Sequence, residues 1–177
     1  MAETQLITIT EARTYVDISP NYAVTRFNIY VTNVQRDNLR KLMGKQMYYD
    51  FWQNYPDGGV YDDLVGGKVY ELNGENVQYY GLKPYLSYLV MATIALEGDY
   101  YHADYGNAVF TDNPQDNLVK AMDRRRIEMY DRYMQKAREY EEDVLNFLAQ
   151  NSTDYPLLKK EFQKPDIRNQ IITATLR

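Results

Sequence analysis

The hydrophobic and polar positions change period several times along the chain. Near the start, "QLITIT" (residues 5–10) sets Leu6, Thr8 and Thr10 against Ile7 and Ile9. This β-branched alternation predicts an extended segment. So short a strand is not stable alone and must pair with something, another subunit included. "DISPN" (17–21) reads as a turn. From Phe27 to Trp52 the period lengthens: Leu39, Met43, Met47 and Phe51 recur every four residues with Leu42 beside them, which predicts helix. "NYPDGG" (54–59) ends that helix with breakers, and a short helix around Tyr61–Val65 follows.

A glycine-rich stretch, "GGK" (66–68), comes next and raises the question of a phosphate loop. That motif needs G-x-x-x-x-G-K-[ST], but Asp62 stands where the first glycine belongs and Val69 replaces the hydroxyl. Instead, "VYELNGENVQYY" (69–80) contains two alternating runs around Asn73-Gly74. Asn-Gly is the preferred two-residue hairpin turn, because both positions must accept positive φ. Leu72 then faces Glu75 and Tyr70 faces Val77, placing Tyr70, Leu72, Val77 and Tyr79 on one side.

Gly81 to about Tyr101 predicts a helix with Pro84 in its first turn, where a missing N–H does no harm. Leu82, Leu86, Leu89, Val90, Ile94 and Leu96 spread around its circumference, marking it as central. A loop containing Gly106 leads to a last helix over Pro114–Gln150, capped by Asn113 or Asp112, with Leu118, Met122, Met129, Tyr133, Ala137, Tyr140, Val144 and Phe147 three, four or seven apart. "IRNQIITATLR" (167–177) is again extended and β-branched. The expected fold is therefore mainly α. It is a helical bundle with a long C-terminal helix, a β-hairpin insertion and extended terminal arms. The boundaries are an N-terminal arm at 1–26, a helical core at 27–163 with the hairpin at 68–80, and a C-terminal arm at 164–177.

Composition narrows the function. With no cysteine among 177 residues, disulfides and thiolate metal sites are excluded. A net charge of −5 argues against generic attraction to nucleic acid. "MAETQLITIT" lacks the charged and apolar regions of a signal peptide. The longest uncharged run, Pro84–Leu96, is short of the roughly 20 residues of a membrane span, so no membrane is expected. The 19 tyrosines suit half-wet interfaces, though many could equally line a core.

No active site assembles from the sequence. His102 is the single histidine; Asp99 and Asp104 beside it form a weak metal set with no second histidine to complete it. Asp62–Asp63 and Glu141–Glu142 are adjacent pairs whose side chains diverge, unsuited to general acid–base work. "RRR" (124–126) winds around a helix and reads as a solvated face. We expect no enzyme activity, no cofactor and no metal.

Three stretches together resemble the head–tail connector (portal adaptor, or ring) proteins of tailed bacteriophages, with the crAss-like phages nearest. They are "VTNVQRDNLRKLMGKQMYYDFWQN" (31–54), "GLKPYLSYLVMATIALEGDYY" (81–101) and "DYGNAVF" (104–110). The likeness covers about residues 5–150 and rests on packing patterns. It implies a structural virion protein at the head–tail interface, a ring of twelve copies below the portal protein. Double-stranded DNA would pass through it without sequence preference, and further ring or tail proteins would adjoin it. On that reading the interface residues are Leu6, Ile7 and Ile9, Tyr70, Leu72, Val77 and Tyr79 of the hairpin, and Ile171, Ile172 and Leu176. The alternative is a helical protein-binding or regulatory module using a tyrosine-rich surface.

Overall fold

The computed structural model describes residues 4–55, 58–72, 74–97 and 116–158, with 116–124 described in backbone only. The fold is mainly α, with a long C-terminal helix and one antiparallel hairpin. The elements run α1 (Ile9–Ala12), α2 (Val24–Val34), a π turn (Gln35–Leu39), α3 (Arg40–Met43), α4 (Lys45–Asn54) and α5 (Val60–Gly66). Strands β1 (Lys68–Leu72) and β2 (Glu75–Tyr79), then α6 (Leu82–Glu97) and α7 (Asp116–Gln150), complete the described elements.

Helix α6 is the centre. Leu82, Leu86, Leu89, Val90 and Ile94 are buried on it, as is Pro84 in its first turn, and α1, α2, α5 and α7 all pack around it. Ala137, Val144, Phe147 and Leu148 form the buried stripe of α7. At its other end Arg126 donates to the carbonyls of Ala95 and Leu96, tying α7 to the last turn of α6. At about 1.5 Å per residue, the 35 residues of α7 reach about 52 Å, against about 24 Å for α6 with 16.

The periodic stretch over 27–52 folds as one path with two interruptions. The π turn adds a residue at Gln35–Leu39, and Gly44, at φ 83° and ψ 163°, separates α3 from α4. Leu39, Leu42, Met43, Met47 and Phe51 all stay buried across both.

The N-terminal segment is not a free arm. Leu6, Ile7 and Ile9 belong to the core of the chain itself, with Ala12, Val16 and Ile18. Two features produce this. Thr8 caps α1 in a capping box: its hydroxyl accepts from the Glu11 N–H, and the Glu11 carboxylate accepts from the Thr8 N–H at 2.8 Å. Gln35, fully buried in the π turn, accepts from the Leu6 N–H at 2.7 Å and donates to the Thr4 carbonyl at 3.2 Å. A side-chain amide thus supplies the pairing that a partner strand was expected to give.

Lys83 holds the same segment from α6, 2.6 Å from Glu11. That bond, with the Thr8 N–H, brings the Glu11 carboxyl down to about 2 from an ordinary 4.5. The folded-state value lies below the unfolded one. The contribution to stability is therefore whole above about pH 4.5 and drains away as pH falls toward 2. Glu11 keeps 40 % of its side-chain exposure, so screening by solvent reduces the effect to about 1 kcal/mol. We predict that Glu11→Gln flattens this part of the pH–stability curve, measured by urea unfolding at pH 6 and pH 2.5.

Candidate functional site

Two regions have the make-up of functional surface: the hairpin with its aromatic bed, and a basic groove beside the π turn. The hairpin register pairs Lys68 with Tyr79, Tyr70 with Val77 and Leu72 with Glu75, as the Asn-Gly spacing predicted. Gly74 carries φ 85°, and Asn73 lies outside the described residues. Tyr70, Leu72, Val77 and Tyr79 share one face, but they are not equally placed.

Tyr79 is buried. It stacks on Phe147 of α7 with ring centroids 4.2 Å apart and donates its hydroxyl to the Leu64 carbonyl at 2.8 Å. Burial pushes its phenol well above the usual range, so it remains a neutral donor. Tyr70 meets Phe147 edge-on at 5.4 Å and is half-buried, as are Leu72 and Val77 nearer the tip. Val69 and Tyr80 are exposed.

The aromatic bed continues away from the hairpin. Tyr155 lies 6.0 Å from Phe147 and 5.9 Å from Tyr61, which meets Phe51 edge-on at 5.2 Å. Tyr155 donates to the Val60 carbonyl, and Tyr61 to the Asp50 carboxylate at 2.7 Å. Of the 16 tyrosines with described side chains, five are buried, nine half-buried and two, Tyr49 and Tyr80, exposed. The tyrosines therefore serve the core and its rim more than an open surface.

Of the expected interface residues, Leu6, Ile7, Ile9 and Tyr79 are buried within the chain and are not available to a partner. Tyr70, Leu72 and Val77 come together on the hairpin. Ile171, Ile172 and Leu176, with the C-terminal arm at 164–177, lie outside the described residues, as do Asp99, His102 and Asp104. Among the described residues there is no metal-binding cluster of histidine and acidic side chains, and no helix long and apolar enough to cross a membrane.

The groove was not anticipated. It has a volume of about 770 Å³ and is bounded on one wall by Arg36, Arg40, Lys41 and Lys45, with Asp37 among them. Four cations and one carboxylate line it, in a chain of net charge −5. The opposite wall is Pro156, Leu157 and Leu158, from the turn that follows α7. The clue on the first wall was in "QRDNLRKLMGK", where basic residues recur at near-helical spacing between Leu39, Leu42 and Met43. The second wall is more than a hundred residues away in sequence, so only the fold brings the two together.

These features define a mainly α protein whose long terminal helix carries a β-hairpin on an aromatic bed. The chain belongs to the Family of unknown function (DUF6712), which matches residues 39–165. The match begins at the last residue of the π turn and leaves out the N-terminal segment that Gln35 holds. No curated protein and no solved structure matches the chain.

Proposed function

We propose that the chain is a structural component of a tailed-phage virion, a head–tail connector that forms a ring beneath the portal around the path of the DNA. The observation that carries this reading is the length of α7. A rod of about 52 Å set against an α6 less than half as long suits a stave in a ring. Two of the stretches that resemble connectors, 31–54 and the described part of 81–101, fall on α2–α4 and α6, and α2 packs against α6. The hairpin supports the same role. Its outer strand edges have no partner strand among the described residues, and such edges readily accept one from a neighbouring chain.

The corrected N-terminus narrows how copies would meet. With Leu6, Ile7 and Ile9 already buried, the hairpin tip and α7 remain as contact surfaces among the described residues. Quantitative mass spectrometry of purified particles tests the proposal. The expected result is a fixed, ring-sized copy number per virion. Absence from particles, with a monomer or dimer in solution, would instead favour a binding or regulatory module acting through exposed Tyr49 and Tyr80.

A further inference from the structure

We infer that the basic groove is a binding site for a nucleoside phosphate, either free or within a nucleic-acid strand. The inference does not depend on ring formation. It rests on charge, shape and the difference between the two walls.

Against the overall negative charge, four cationic side chains lining one concavity make it a place where anions concentrate. Neither Arg40 nor Lys45 has an ion-pair partner among the described residues. Arg40 offers the planar fork that matches two phosphate oxygens, and Lys45 adds a compact charge. The buried Leu39, Leu42, Met43 and Met47 anchor the backbone of this wall, which keeps the cations on one side of the groove.

The opposite wall sets the class of ligand. Pro156 and Leu157 are apolar, and Leu157 is 41 % exposed, so an inorganic anion or a lone carboxylate would leave that side unused. At about 770 Å³ the space falls within the roughly 300–1,000 Å³ of small-ligand clefts and exceeds the needs of one phosphate group. A nucleoside phosphate uses both walls, with phosphate oxygens on Arg40 and Lys45 and its ring against Pro156 and Leu157. Asp37 is the one carboxylate among the described residues that line the groove.

The test uses the full chain, with fluorescence anisotropy of a labelled single-stranded DNA 20-mer and a labelled duplex at low salt. AMP, inorganic phosphate and poly-glutamate serve as competitors. We expect binding that weakens with salt on a log–log slope corresponding to about two to four phosphates, at roughly 0.7–0.9 per phosphate. The Arg40→Glu/Lys45→Glu double variant should weaken it at least tenfold, while Arg138→Glu on exposed α7 leaves it unchanged. Leu157→Asp should weaken binding of AMP and of the strand. Competition by AMP at matched phosphate concentration identifies a free nucleotide as the ligand, and strand binding that AMP does not relieve identifies nucleic acid. Both outcomes uphold the inference. No binding of strand or AMP at low salt overturns it, as does an equal loss in Arg138→Glu. So does displacement of the labelled strand by poly-glutamate at a lower charge concentration than unlabelled strand requires, which would assign the groove to an acidic protein segment. Circular dichroism confirms that the exposed substitutions leave the fold intact. None of these outcomes alters the copy number by which the connector reading is judged.

Discussion

Gly81→Ala is expected to lower the thermal midpoint by about 10 °C, from a loss of roughly 3 kcal/mol or more. Two costs combine. Gly81 sits at φ 84°, where a side chain is strained by about 1–2 kcal/mol. A Cβ there would also press into the Val65 carbonyl oxygen and lie 2.8 Å from the Gly67 nitrogen, both of them backbone atoms that cannot rotate away. The crowding is mutual, since a Cβ on Gly67 would come within 2.5 Å of the Tyr79 carbonyl oxygen. The two glycines are the clasp at the base of the hairpin, where the chain enters and leaves with backbone against backbone. Gly74→Ala is the control. It shares the positive φ but has nothing within 4 Å, so its loss should be about 1 kcal/mol. Equal losses at the two positions in differential scanning fluorimetry would show that close approach is not what requires Gly81.

The second large effect is expected at Phe147. Replacing this buried ring with alanine should cost about 3–5 kcal/mol, read as a lower denaturation midpoint in urea at unchanged slope. It should also release the hairpin, because Phe147 is the surface on which both Tyr70 and Tyr79 rest. Hydrogen exchange should then speed up over β1 and β2 in Phe147→Ala while α6 stays protected. Uniform loss of protection would mean that the hairpin and the helices unfold as one unit.

Much of the helical architecture was legible because long periodic segments declare themselves. The apolar circumference of α6 from Leu82 to Ile94 and the Ala137, Val144 and Phe147 seam of α7 follow from spacing alone, whereas Leu96 and Met129, expected with them, are exposed. The hairpin was legible to the residue, since Asn-Gly fixes the turn and the turn fixes the pairing. The N-terminal segment was misread for a physical reason. Leu6, Ile7 and Ile9 alternate well enough to suggest a strand, and the decisive signal, Thr8 and Glu11 at capping-box spacing, competes with that pattern over the same residues. The π turn could not be read at all. Nothing in "QRDNL" demands an extra residue; it is the packing of the segment above it that gives buried Gln35 a backbone to bond.

The surface was legible only in part. Counting tyrosines left half-wet interface and core equally open, and Tyr79 and Tyr155 sit inside, each spending its hydroxyl on a distant carbonyl. Sequence gives the amount of amphipathic ring but not which way it turns. The basic groove shows the same limit. Its cations were visible on one helix path, but the apolar wall that makes them a cleft arrives from beyond α7.

The clamp made by Gln35 also bears on synthesis. Residues 4–6 leave the ribosome before their partner, since the amide that closes on Leu6 and Thr4 is made about thirty residues later, in a turn that itself needs helix on either side. This stretch is thus locked only by one synthesised after it. Until then Leu6, Ile7 and Ile9 wait unsheltered, and a nascent chain stalled before residue 35 has no such clamp to tuck them away.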